Sequence, residues 1–93
     1  MNISEAIRAM QYGRKVARAG WNGKGMWLIY VPGSVVQPRP GTPYAEALTL
    51  AERERDFEIA PHIDMFTATG AFQPGWLASQ ADLLAEDWEV VNG

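Results

Sequence analysis

At 93 residues the chain makes one domain whose folding buries only roughly 60 to 65% of the unfolded surface, so its four tryptophans and four methionines leave apolar surface that oligomerisation covers at least cost. The absence of cysteine excludes disulfides, thiolate metal sites and a thiol nucleophile, and makes the cytoplasm the expected compartment. The net charge of −3 is uneven, with Arg8, Arg14, Lys15, Arg18 and Lys24 facing only Glu5 in the first quarter while ten of the eleven acids lie from Glu46 onward, a distribution that argues against long nucleic acid but suits a small phosphate-bearing ligand. Neither a signal peptide nor a membrane span is expected, since no basic start leads into an apolar run and no segment nears about 18 apolar residues.

In chain order, Asn2 with Glu5 forms a capping-box pattern, and Ile3, Ala6, Ile7 and Met10 recur at helical spacing, predicting a helix over 3–12 that Gly13 ends and whose stripe faces a sheet. Residues 15–18 read as a first strand with Val16 inward and Arg18 on the polar face beside Trp21. The following Trp21-Asn22-Gly23-Lys24-Gly25-Met26 has two readings. Asn22-Gly23 is a strong hairpin signal; equally, an indole, a cation and open backbone N–H groups suit a planar, anionic ligand.

Residues 26–31 form the strongest strand pattern, apolar on both faces and therefore central, with one face toward the first helix and the other toward a partner subunit or the insertion. Four prolines and two glycines between Pro32 and Tyr44 predict an excursion that is neither sheet nor helix. A short surface helix is expected over 45–55, its end Glu52-Arg53-Glu54-Arg55-Asp56 a solvated face. Residues 57–60 and 62–67 read as strands, Thr69-Gly70 as a hairpin turn, and 71–73 as the return strand stopped by Pro74-Gly75. Ser79 caps a helix over 80–85 with Asp82 in its first turn, and 87–91 closes the chain as a strand with Trp88 and Val90 on one face. The fold expected is α+β: an antiparallel sheet of about five strands, an N-terminal helix, and short helices in the insertion (32–56) and near the C-terminus, all in a single domain (1–93).

His62 is the only histidine, and Asp64 shares its strand face, but nothing completes a metal or catalytic set. Ser4, Ser34 and Ser79 lack a nucleophile-elbow setting, and Gly23-Lys24-Gly25 lacks the spacing of a phosphate loop. Neither catalysis, metal nor cofactor is expected. Trp21 and Trp76 sit beside glycines at strand ends, where rings can offer faces to bases, whereas Trp27 and Trp88 lie within strands and are expected in the core. Trp76 opens a second cluster, Trp76-Leu77-Ala78-Ser79-Gln80-Ala81-Asp82; Ser79 and Gln80 can present backbone N–H groups to a phosphate, and Asp82 can accept from a ribose hydroxyl or an adenine amine.

Taken together, the helix ending at Gly13, Lys15-Val16-Ala17-Arg18-Ala19-Gly20-Trp21-Asn22-Gly23-Lys24-Gly25-Met26, Val31-Pro32-Gly33-Ser34, Pro61-His62-Ile63-Asp64-Met65, Trp76-Leu77-Ala78-Ser79-Gln80 and Ala85-Glu86-Asp87-Trp88-Glu89-Val90 resemble, in order and over nearly the whole chain, the second Thoeris anti-defence family of small phage proteins. The resemblance implies a cytoplasmic tetramer, a sponge that sequesters the glycocyclic ADP-ribose messenger of Thoeris without cleaving it, some members also holding cyclic dinucleotides of CBASS in separate pockets. It further implies that Trp21 and Trp76 stack on the ligand, that Asn22, Gly23 and Lys24 line the site, and that Ser79 and Asp82, with Ala78 beside them, meet its polar edge in a pocket shared between protomers. The insertion departs from the shortest members, and Arg18, Arg53 and Arg55 are candidates for a second pocket. The alternatives are a small hydrolase or transferase using His62 and Asp64, or an interaction module without a small ligand.

Overall fold

A computed structural model of the chain describes residues 1–21 and 24–92. Its elements are α1 (Ile3–Gln11), β1 (Lys15–Arg18), β2 (Trp27–Val31), β3 (Ser34–Val36), α2 (Pro43–Ala47), β4 (Phe57–Ile59), β5 (His62–Phe66), β6 (Phe72–Gln73), α3 (Gln80–Leu84) and β7 (Trp88–Val91), with 3₁₀ turns at Ala19–Trp21 and Glu52–Glu54. They divide into two compact units, one of Met1–Val31 with the chain from His62 onward, the other of Pro32–Pro61.

In the first unit, Asn2 Oδ1 accepts the Glu5 N–H at 2.9 Å while Glu5 Oε1 accepts the Asn2 N–H at 3.0 Å. Two otherwise orphaned donors are thereby satisfied, and the helix starts where the capping pattern puts it. Gly13, at φ +88°, turns the chain out of α1 and into β1.

The sheet of this unit is antiparallel in the order β6-β5-β2-β1-β7, with β2 in the middle as its two apolar faces demand. Its register places Val90, Val16, Leu28 and Met65 in one row across four strands. It also sets Arg18 opposite Trp88, on the face of Val16 and not on the other, polar face expected of it, because residues two apart on a strand share a face. Ala6 and Met10 of α1 pack on that row, and with Val16, Leu28 and Trp88 they form the buried core. The other face carries Trp27, stacked on Phe66 at 4.6 Å between ring centroids, with Phe72 edge-on to both and Lys15 Nζ 4.9 Å above the Trp27 ring. Trp88 therefore takes the core position expected of it, and Trp27 does not: its register partner Phe66 fixes it on the face away from α1.

The second unit corrects two expectations. Residues 34–36 form a strand despite the neighbouring prolines, because Pro32 and Pro38 flank the β-branched Val35-Val36 pair and do not interrupt it. The partner of β3 is β4, in a separate two-stranded sheet, so 57–59 is not part of the main sheet. The helix expected over 45–55 is broken. Thr42 Oγ1 caps α2 by accepting the Ala45 N–H at 3.3 Å, with Pro43 in the first turn. Leu48 is then extended (φ −101°, ψ 153°), and Thr49 exchanges bonds with Glu52, N–H to Oε1 at 2.9 Å and Oγ1 from N–H at 3.2 Å. A fresh turn begins where the continuous helix was expected.

Leu28 is 0% exposed at the centre of the core. Leu28→Ala is expected to destabilise the first unit by about 2–5 kcal/mol in urea unfolding, and Leu28→Ile by less than about 1.5 kcal/mol, because the first leaves a cavity under α1 and the second conserves volume.

Candidate functional site

Trp21 closes the 3₁₀ turn after β1, and Trp76 follows the Pro74-Gly75 end of β6; the first unit brings both against Trp88. Ring centroids lie 6.4 Å apart for Trp21 and Trp76, 5.3 Å for Trp21 and Trp88, and 6.1 Å for Trp76 and Trp88, all three pairs edge-on. Trp88 is buried beneath; Trp21 and Trp76 are half-buried. Edge-on contacts of this kind add about 0.5–1.5 kcal/mol each beyond area burial, so the upper two indoles are held in place on the lower one.

Beside the indoles runs a charged network. Asp82 Oδ1 accepts from Arg18 Nη1 at 2.9 Å and from Trp21 Nε1 at 3.4 Å, and the Asp82 carbonyl accepts from Trp88 Nε1 at 3.0 Å. Arg18 Nε donates to Asp87 Oδ1 at 2.9 Å, and Asp87 Oδ2 accepts the Gly20 N–H at 2.8 Å. A Cβ at Gly20 would lie 2.9 Å from that oxygen, so a larger residue there would push the carboxylate away from the Gly20 N–H and Arg18. Ser79 and Asp82 cap α3 reciprocally: Ser79 Oγ accepts the Asp82 N–H at 3.1 Å, and Asp82 Oδ2 accepts the Ser79 N–H at 3.2 Å.

Each charge is held in its ionised form. The Asp87 and Asp82 carboxylates raise the Arg18 guanidinium above its already high value. Asp87 is lowered by the Arg18 guanidinium first and the Gly20 N–H second. For Asp82, burial pushes upward, but Arg18, both groups of Ser79 and the Trp21 indole together hold it below the ordinary aspartate value.

The expected site residues are thus placed as follows. Trp21, Trp76, Ser79 and Asp82 converge, with Ala78 half-buried immediately before the α3 cap. The Ser79 N–H is not available as proposed from the sequence, since Asp82 takes it. Asp82 uses three of its roughly four acceptor positions internally, leaving about one for a hydroxyl or amine. Lys24, Trp21 and Arg18 line a hollow of about 260 Å³ with Ala17, Trp27 and Glu89. Asn22 and Gly23 lie outside the described residues. Arg53 and Arg55 belong to the second unit, where Arg53 Nη2 is 4.0 Å from Glu46 Oε2 and the Arg55 guanidinium lies 4.3 Å over the Phe57 ring. His62 Nε2 is 3.4 Å from Asp64 Oδ1; among the described residues no group of three or more His, Asp or Glu side chains is placed to hold a metal.

Asp87 and Gly20 were given no role of their own from the sequence. Their pairing depends on the β1–β7 register, Arg18 opposite Trp88, for which no local spacing is a signal.

Lowered carboxylates in the folded state mean that the unfolded chain binds protons first as pH falls. The stability contributed by Asp82 and Asp87 is therefore complete above the ordinary aspartate value of 3.8 and is lost as pH drops through the lowered folded values. Urea unfolding measured between about pH 5 and about pH 2 is expected to show this decline in the wild type and a shallower one in Asp82→Asn.

The family model described as the Thoeris anti-defense 2-like domain matches residues 1–91. The chain is also 30% identical over 92 residues to Thoeris anti-defense 2 of Bacillus phage SP01, a match spanning 99% of this chain and 96% of the phage protein. The resemblance carried by the ordered motifs is borne out over nearly the whole length, and the chain belongs to the Thoeris anti-defense 2-like family.

Proposed function

We propose that this protein is a phage anti-defence protein that binds a cyclic nucleotide immune messenger, the glycocyclic ADP-ribose of Thoeris, and sequesters it unaltered. The observation that supports this reading most is the convergence of Trp21 and Trp76 on Trp88, two partly exposed indoles on a buried footing. Each base stacked on such a ring contributes about 1–3 kcal/mol. Lys24 supplies a cation for phosphate, and the remaining acceptor position of Asp82 suits a ribose hydroxyl. Sequestration needs tight binding and slow release only, so no acid–base pair is required. The protein works as a homotetramer in the cytoplasm of the infected host, with the pocket completed by a neighbouring protomer; exposed Phe72, Leu77 and Leu84, at 56%, 90% and 77% exposure, supply surface for that assembly.

Incubation with glycocyclic ADP-ribose followed by heat denaturation is expected to return the nucleotide intact; an altered nucleotide would instead support a hydrolase or transferase using His62 and Asp64. In titration calorimetry, run beside cyclic dinucleotides, Trp21→Ala and Trp76→Ala are each expected to weaken binding by about tenfold or more with folding retained. Unchanged affinity in both variants overturns the proposal, and light scattering checks the tetramer.

A further inference from the structure

The position of Trp76 is set by a one-residue slip in the sheet. β6 pairs with β5 so that Phe72 faces Phe66 and Gln73 faces Met65. Continued without interruption, this register would set Gly75 opposite Ile63 and Trp76 opposite His62. The Trp76 N–H instead donates to the Ile63 carbonyl at 2.7 Å, so one extra residue is accommodated between Gln73 and Trp76. Gly75 has φ +76°, and a Cβ there would meet nothing within 4 Å. The glycine answers a backbone requirement, as in a bulge whose extra residue is left-handed.

A slip of one residue reverses the face to which every later side chain points. His62 and Asp64 stand on the face of Trp27, away from α1, as their register with Val31 and Ile29 requires. Ile63 and Met65 pack toward the core. Unslipped, Trp76 would follow His62 to the far face; slipped, it follows Ile63 and meets Trp21 and Trp88. The bulge takes the Gly75 N–H out of the ladder, and Asp64 Oδ1 accepts it at 3.1 Å, with His62 Nε2 at 3.4 Å from the same oxygen. The Asp64 side chain is only 14% exposed, so its carboxylate is held in place to receive this N–H although Gly75 itself is exposed.

We infer that Asp64 is a positioning residue for the Trp76 indole: by accepting the Gly75 N–H it holds the bulge that turns this ring to the ligand side. The inference rests on the reading of Trp76 as a base-stacking residue, and the two can fail separately. Edge-on indoles this close give an exciton couplet in circular dichroism, which is measured on the ligand-free protein. Asp64→Ala is expected to reduce the couplet to the part that the Trp21–Trp88 pair supplies and to weaken glycocyclic ADP-ribose binding by about tenfold or more, the loss of one base stack, while still unfolding cooperatively in urea. Asp64→Asn, which keeps a carbonyl acceptor, is expected to retain both the couplet and the binding. Gly75→Ala, acting on the same bulge through the backbone, is expected to behave as Asp64→Ala and decides the matter should that variant fail to fold. A wild-type couplet in folded Asp64→Ala, or in Gly75→Ala, overturns the inference; wild-type protein that binds no cyclic nucleotide overturns the reading of the site instead.

Discussion

The burial of Trp88 is the constraint on which the rest of the first unit depends. Its indole is 2% exposed and packs with Ala6 and Met10 of α1 below and with Trp21 and Trp76 beside it. Its polar atoms are all engaged: Nε1 with the Asp82 carbonyl, the backbone N–H with the Met1 carbonyl at 3.1 Å, and the backbone carbonyl with the Met1 ammonium at 2.7 Å. One residue therefore fastens the chain's beginning to its last strand, anchors α3, and provides the floor on which the two half-buried rings stand. A large aromatic buried with its N–H satisfied supplies area and direction together, which smaller apolar residues cannot do.

The charged groups around this floor serve the scaffold before any ligand. Arg18 spans Asp82 and Asp87, and through them it fixes the Trp21 indole, the Gly20 turn and the start of α3. With one guanidinium shared between two carboxylates, what the cluster leaves over for the nucleotide proposed above is ring faces, the Lys24 cation and a single remaining carboxylate position. Groups held this way in the free protein have little further freedom to lose, which suits the sequestration proposed above.

Much of this was legible in the residues. The capping boxes at Asn2 and Ser79, the first strand at 15–18, the central strand and the final strand are all encoded by neighbours a few positions apart, and local patterns report local contacts well. The prominence of Trp21 and Trp76 was legible too, from their places beside glycines. What escaped depends on register. Trp27 was expected in the core because a strand's own sequence does not say which of two apolar faces meets the helix. The strand at 34–36 was hidden by surrounding prolines, and the reciprocal Thr49–Glu52 bonds that break the insertion helix resembled the end of a solvated helix. The roles of Arg18 and Asp82 within the scaffold follow from partners more than sixty positions away, beyond the reach of spacing.

The borders of the sheet carry one more consequence. β6, at one border, is two residues long and runs directly into a proline, which has no N–H to offer a further strand. At the opposite border, the start of β7 is already occupied by Met1 through both of its backbone bonds. Open-ended growth by adding strand to strand, the route to fibrils, is thereby blunted on both sides, which leaves side-chain surfaces as the route for the closed, finite assembly proposed above.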